Sequence, residues 1–534
     1  MKPLQILFEG ATETVTGSCT LVKANDKNIL IDCGLYEGNA VEHLNTRNLN
    51  FNPKDIDYIL LTHAHIDHSG RIPYLVKKGF KGKVICTKPT KDLCDIMLPD
   101  SGYIQQKMKK WDMPNKKKKE VILYDMEDAY KSLTFFECVD YNKEIEFGNN
   151  IHIKMINSGH MLGSAFIEMY VKENDKETKI VFTGDIGNQN NNMLPNYESL
   201  ESADIVVIEA TYGDRLHDEV VSVEEQIRQA IIDTVNQKGK LLIPAFAVGR
   251  TQELVKYIKS IYGGLDEKYK VPVYVDSPLA IKAFDKLLQN IDYLNEEIKQ
   301  EYQKKEEFLM FEELKLVSEL DESTYLSTKD ESMIIISASG MADFGRVKQH
   351  LINNISDERN TIIFSGYVAE GTLGREIRKG KRNIKISGEK YKQRAKIKTL
   401  QGMSGHVDMQ GLIDFIENFK KKPKQIYINH GNGEAKENLQ RELAKILCKD
   451  AEVIVPKRDI AYEIKNILTS KVKSKFNLEE FYDQKLSAQE KILFSIYGEG
   501  IANYAYFQSD SEIPSGKLAK KQIENLDKLG YWAS

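Results

Sequence analysis

The chain has 534 residues, enough for two or three domains that each bury a core, and its 41% hydrophobic and 29% charged content excludes wholesale disorder. A formal net charge of −4 argues against a globally basic nucleic-acid binder, although a cleft can still concentrate positive charge locally. No apolar run approaches the roughly 20 residues that span a bilayer. Six cysteines at 19, 33, 86, 94, 138 and 448 form no CxxC pair, so reduced thiols and a cytoplasmic location are expected.

In chain order, Met1-Lys2-Pro3-Leu4-Gln5-Ile6-Leu7-Phe8-Glu9-Gly10 predicts a strand running into a turn, without the apolar core and cleavage site of a secretory leader. Short apolar runs ending in polar or glycine residues then alternate with amphipathic stretches. Asn28 to Asp32, Tyr58 to Thr62, Val84 to Cys86 and Lys179 to Thr183 are such runs, and they predict buried strands in an α/β arrangement. The stretch from Tyr103 to Tyr130 is polar and helical, and its run Asn115-Lys116-Lys117-Lys118-Lys119 is expected to be a solvated loop. A second α/β segment follows from about 214 to 404, with predicted strands at Gly239 to Pro244, Val271 to Val275 and Ser332 to Ile336. Between the last two lies a charged stretch, about 282 to 320, expected to be helical. After 405 come a helix over about 408 to 420, a strand at Gln425 to Asn429 and another helix. The segment from 456 onward has helical patterns of its own and a terminal Trp532.

With only ten histidines, the neighbours of each can be inspected. Thr62-His63-Ala64-His65-Ile66-Asp67-His68-Ser69-Gly70 directly follows a predicted strand. Imidazole and carboxylate suit borderline divalent metals, and two histidines one residue apart on extended backbone point to the same side. Asp67 and His68, arriving as the chain turns, can serve a second ion. His160, in the small-residue loop Asn157 to Ser164, and Asp185, in Thr183-Gly184-Asp185-Ile186-Gly187, would each be read as structural if taken singly. Asp32, at another strand end, is read as a carboxylate that holds a ligand histidine in one tautomer and orientation.

The succession of Asp32, the HxHxDH block, His160 and Asp185 resembles the metal motifs of the metallo-β-lactamase superfamily. Ile208-Glu209-Ala210-Thr211-Tyr212-Gly213, Pro244 to Arg250, Asp276 to Ala280, Ser337-Ala338-Ser339-Gly340-Met341 and Gly366 to Gly374 narrow the resemblance to the β-CASP nucleases, near the mRNA 3′-end processing endonuclease and its prokaryotic relatives. Met403-Ser404-Gly405-His406-Val407-Asp408 and Asn429-His430-Gly431 resemble that family's last two motifs, and the likeness covers residues 1 to 455. It implies an αββα metallo-β-lactamase sandwich (1–213 and 405–455) with an inserted α/β β-CASP domain (214–404) and a small C-terminal extension of unknown role (456–534).

The resemblance also implies roles. His63, His65 and His160 would hold one zinc ion, Asp67, His68 and His430 a second, and Asp185 would bridge them, with Mn2+ or Fe2+ as alternative metals. Glu209 would orient or protonate His406 near the leaving group. Ser337, Ser339, Gly340, Ser365, Gly366 and Tyr367 would contact phosphates through their loops, and Arg250 is a candidate phosphate ligand. Two departures stand out. Gly431-Asn432-Gly433-Glu434 follows His430 where the family places glutamate directly after the glycine, so a rearranged loop is expected. Gly405 also replaces an alanine. His43, His152, His217 and His350 fall outside every motif and are read as surface or packing residues.

The function implied is hydrolysis of RNA by a water activated between two zinc ions, an endonuclease reaction leaving 5′-phosphate and 3′-hydroxyl ends. The competing readings are a 5′-exonuclease of the same family, a DNA-processing relative, and a thioester or lactone hydrolase of the wider superfamily. The last of these has no reason to carry His406 and Glu209. No membrane partner is expected, and the segment after 456 is available for homodimer formation or substrate placement.

Overall fold

The computed structural model describes residues 3–474 apart from 39–40, 112–121, 174–175, 190, 218–220, 305–307, 367, 369–370, 448–450 and 466–468. Two sheets face one another. The first has eight strands in the order 469–474, 460–465, 5–8, 20–24, 27–31, 58–60, 83–87 and 136–139. The second has seven, in the order 452–454, 425–428, 205–208, 176–182, 165–173, 151–157 and 145–146. Side chains alternate across a strand, so each strand serves two layers. Ile180 and Phe182 enter the core between the sheets beside Ile29, Ile31, Leu60 and Met155. Val181, between them, points the other way onto Leu412, Ile416, Leu439 and Leu443 of the helices Met409–Glu417 and Gly433–Leu447. On the outer face of the first sheet, Leu30, Ile59 and Val84 pack with residues of the helices Ile72–Lys77 and Lys88–Trp111. Helix, sheet, sheet, helix is the resulting order of layers.

The chain leaves the second sheet after Ile205–Ile208 and re-enters it at Gln425–Ile428, directly alongside in parallel register. Between these neighbours runs a third sheet of six strands, ordered 314–316, 273–276, 333–337, 240–244, 361–364 and 396–399. All five of its pairings are parallel. The runs Lys240–Pro244 and Met333–Ser337 are buried along their whole length, as a sheet covered on both faces requires.

Two sequence expectations change. The charged stretch after 282 is helical over Pro278–Gln289 and Glu296–Gln303, but Leu314–Leu316 is a short edge strand paired with Val273–Val275. Its leucines flank an exposed lysine, a period-2 signal too short to stand out among charges. The helical reading of residues after 456 also fails where they are described. Ile460–Lys465 is a strand antiparallel to Gln5–Phe8, with Tyr462 and Ile464 in the core between the sheets. Trp532 lies outside the described residues, as does the Asn115 to Lys119 run. Among the described residues, no helix is long and apolar enough to cross a membrane.

Candidate metal and acid–base site

The side chains that resemble ligands arrive from the ends of strands in both facing sheets. His63 and His65 follow Tyr58–Leu60, His160 follows Ile151–Asn157, Asp185 follows Lys176–Phe182, Glu209 follows Ile205–Ile208, and His430 follows Gln425–Ile428. Close backbone approach makes room for them. A Cβ on Gly34 would stand 1.5 Å from the carbonyl oxygen of Asp67, so that position tolerates no side chain.

Nε2 of His63 and Nε2 of His160 lie 3.1 and 3.2 Å from Nδ1 of His65, and both are 3.4 Å from Oδ2 of Asp185. The opposite ring nitrogens fix the tautomers. His160 Nδ1 is 3.1 Å from the Gly405 carbonyl oxygen, to which it donates, and His63 Nδ1 is 3.0 Å from Thr62 Oγ1. Each ring therefore turns an unprotonated nitrogen toward the same point. Burial pushes His63 and His160 below the usual imidazole range and His65 down to about 3, so the three stay neutral.

A second group meets on the other side of Asp185. His68 Nε2 and His430 Nε2 are 3.0 Å apart, and Asp67 Oδ2 lies 3.5 Å from His430 Nε2. Oδ1 of Asp185 stands 3.4 Å from His68 Nε2 and 3.6 Å from His430 Nδ1. Burial opposes ionisation of Asp185, but the surrounding His430 and His68 outweigh it and hold the carboxyl well below its usual range. For His68, burial is outweighed in turn by the carboxylates of Asp185, Asp32 and Asp67, which raise it.

Asp32 supports both groups. Its Oδ2 lies 2.7 Å from His68 Nδ1, and its Oδ1 accepts from the backbone and hydroxyl of Thr62, at 2.8 and 3.0 Å. One carboxylate thus orients His68 directly and His63 through Thr62.

The arrangement fits two cations. Imidazole nitrogens converge at about 3 Å within each group, and the buried Asp185 Oδ1 has no hydrogen-bond partner. The groups His63, His65, His160 and Asp185, and Asp67, His68 and His430, are each compact enough to hold one ion.

Beside this cluster, His406 Nδ1 is 3.1 Å from both oxygens of Glu209, and its ring centroid is 4.6 Å from that of His160. Burial would lower the His406 pKa, but the Glu209 and Asp185 carboxylates push it up to about 9. Glu209 Oε1 also accepts from the backbone of Ile186 at 2.7 Å, which fixes the carboxylate.

The loop after His430 keeps that ligand in reach. Asn432 Oδ1 accepts from Ala435 N and starts the next helix, while His430 N donates to the Ala11 carbonyl.

The phosphate-contact candidates gather at one edge of the third sheet. Ser337 Oγ donates to the Asp276 carbonyl at 3.0 Å, and Ser339 Oγ is buried with no partner. Gly340 and Ser365 are buried, and the Gly366 carbonyl accepts from Arg378 Nη1 at 3.3 Å. Tyr367 lies outside the described residues. Arg250 is tied to Glu253 at 2.7 Å within its own helix.

Of the histidines outside the motifs, His217 is closer to the site than expected. Its Nε2 donates to the His406 carbonyl at 3.0 Å, its backbone donates to Asp408, and the Tyr212 ring lies near both its ring and that of His406. No spacing in the sequence marks it, because its partners lie almost two hundred residues away. His350 is fully buried against Asp276, His152 stacks on Tyr170, and His43 is exposed.

Comparison with known proteins agrees with this geometry. The profile of the metallo-beta-lactamase superfamily matches residues 13–245, that of the Beta-Casp domain residues 251–377, and that of the Zn-dependent metallo-hydrolase RNA specificity domain residues 390–456. The chain is 32% identical over 431 residues to a protein named Ribonuclease TTHA0252 from Thermus thermophilus, covering 81% of this chain and 94% of that one. It is 32% identical over 441 residues to Transcription termination factor FttA of Methanocaldococcus jannaschii, 80% of this chain and 67% of that one. It is 28% identical over 459 residues to Cleavage and polyadenylation specificity factor subunit 3 of Dictyostelium discoideum, 85% of this chain and 56% of that one. Fold and site define a metal-dependent hydrolase, and the chain belongs to the β-CASP family of the metallo-β-lactamase superfamily.

Proposed function

We propose that the chain is an RNA endonuclease that works with two zinc ions, one held by His63, His65 and His160, the other by Asp67, His68 and His430, with Asp185 shared. Such a pair activates water as a nucleophile and neutralises charge on a phosphate. The observation that carries the reading is the His406–Glu209 pair beside His160. Glu209 keeps His406 protonated and presents its Nε2 proton to a departing oxygen. In hydrolysis of RNA, water oxygen joins phosphorus and releases a proton to solvent, the bond from phosphorus to the 3′ oxygen breaks, that oxygen takes the His406 proton, and His406 regains a proton from solvent. The products are a 5′-phosphate and a 3′-hydroxyl. A ribose 3′ oxygen is a poor leaving group and needs this proton, whereas a thioester does not.

The lobe from 214 to 404 would hold the strand against the site, with amides of the Ser337 to Gly340 and Ser365 to Tyr367 loops on phosphates and Arg250 nearby. All five described cysteines are free thiols, which supports a reducing compartment such as the cytoplasm. The test is digestion of internally and 5′-labelled RNA, with matched DNA, by zinc-, manganese- and iron-loaded protein, followed by mapping of the ends. Internal cuts in RNA with 5′-phosphate ends are expected. Stepwise release from the 5′ end, or equal cutting of DNA, would replace this reading.

A further inference from the structure

Two phenylalanines are left in solvent at the edge of the third sheet where the phosphate-contact loops gather. Phe246, which follows the strand Lys240–Pro244, is 44% exposed, and Phe344, which follows Met333–Ser337, is 39% exposed. These strands are parallel neighbours, with Pro244 opposite Ser337. Both rings belong to one local structure. A Cβ on Gly340 would come within 3.2 Å of the Phe246 ring and backbone, so the glycine lets that ring lie close against the chain. The Phe344 carbonyl accepts from Ser339 N at 3.4 Å, which ties Phe344 to the same turn. The Phe246 carbonyl in turn accepts from the backbone and hydroxyl of Thr251, so its position is fixed before anything binds.

Scattered exposed apolar side chains need no explanation. Two aromatic rings around one turn, on the edge that also carries the unpartnered Ser339 hydroxyl, are different. On the other flank of Lys240–Pro244 lies Thr361–Phe364, whose following Gly366 carbonyl holds Arg378. Arg378 has the Tyr212 hydroxyl as an electrostatic neighbour, and the Tyr212 ring is 6.2 Å from His406.

We infer that Phe246 and Phe344 form a stacking platform for an unpaired nucleobase of the RNA that the proposed nuclease cuts. Every base offers a flat face to an aromatic ring only when its strand is not in a duplex, so the platform selects single-stranded substrate without reading sequence. Arg378, held by the Gly366 carbonyl after the neighbouring strand, contributes a fixed positive charge suited to the RNA backbone. This inference rests on the nuclease reading above.

The test compares wild type with Phe246→Ala, Phe246→Leu, Phe246→Trp and Phe344→Ala, all as full-length, metal-loaded protein. The substrate is an unstructured RNA, intact or with one abasic nucleotide walked along it. Removing a stacking ring is expected to raise KM about tenfold. Phe246→Leu, which keeps apolar bulk without a flat face, should behave like Phe246→Ala, and Phe246→Trp should restore the wild-type value. At one abasic position the difference between wild type and Phe246→Ala should vanish, because the base that stacks is gone. If wild type cuts RNA and the Ala and Leu variants show its KM, the platform is refuted and the nuclease reading stands. If Leu restores KM as well as Trp, the ring is a packing residue and the platform is likewise refuted. If metal-loaded wild type cuts no RNA, the nuclease reading falls and takes the platform with it.

Discussion

His406 and Glu209 are 197 positions apart, yet Nδ1 of the histidine lies 3.1 Å from each oxygen of the carboxylate. His406 therefore has one ring nitrogen occupied and one left to exchange a proton. His406→Ala should lower the rate of RNA cleavage by about 10²–10⁴, the usual contribution of a general acid. Its loss on bis-p-nitrophenyl phosphate, whose leaving group departs unaided, should be far smaller. Glu209→Gln should follow the same pattern more weakly. Rate measurements on both substrates decide it, and equal losses on the two would place His406 outside proton transfer.

Asp185 lies within reach of both proposed ligand groups and Asp32 orients members of each. Asp185→Ala should therefore abolish tight binding of both ions, and Asp32→Ala should weaken metal affinity about 10–100-fold. Elemental analysis after gel filtration, with competition against a chelator, measures both. Retention of two tightly held ions by Asp185→Ala would contradict the shared-ligand geometry.

Asp276 is fully buried, with His350 Nε2 at 2.6 Å, Arg346 Nη1 at 2.7 Å and Ser323 Oγ at 2.5 Å. Asp276→Ala strands the fully buried His350 and takes the carboxylate from the half-buried Arg346, and breaking such a network typically costs about 3–5 kcal/mol. Chemical denaturation should show that loss. The metal content of folded protein should stay unchanged, since every proposed ligand lies outside the inserted lobe. A variant as stable as wild type would show that the network contributes little.

Asp100, on the helix Lys88–Trp111, has its pKa raised by burial to about 6, with Lys282 opposing. The folded chain then holds a proton that the unfolded chain releases near pH 4, so stability falls as pH rises between about 4 and 6. Two pKa units correspond to about 3 kcal/mol, which partial exposure reduces to about 1–2 kcal/mol. Asp100→Asn should raise the melting temperature at pH 8 and leave it almost unchanged at pH 4. Equal shifts at both pH values would mean the effect is not ionisation.

Much of the site is legible in the sequence because its chemistry is local. His63 and His65 sit on one side of extended chain, and Asp67 and His68 follow within a turn, so spacing alone places four donors together. His406 and His430 are legible only through resemblance, since what brings them back is the pairing of Gln425–Ile428 with Ile205–Ile208. His217 escapes because its contact is with a backbone carbonyl, which leaves no pattern in side chains. The strands Leu314–Leu316 and Ile460–Lys465 escape for a related reason: each is an edge or closing strand whose partner lies far away in sequence. Arg250 pairs with Glu253 three residues on in the same helix, a contact that spacing alone makes legible.

The parallel pairing of Gln425–Ile428 beside Ile205–Ile208 sets an order of events during synthesis. Six of the seven proposed ligands have been made once residue 185 is added, but His430 waits for the whole inserted lobe. Gln5–Phe8 must likewise wait for Ile460–Lys465 before its second edge is covered. A ribosome-bound chain short of residue 406 therefore lacks both the proposed proton donor and the last proposed donor of the second metal group. Whatever RNA lies near it during translation, including its own message, meets a protein that cannot yet complete its catalytic centre.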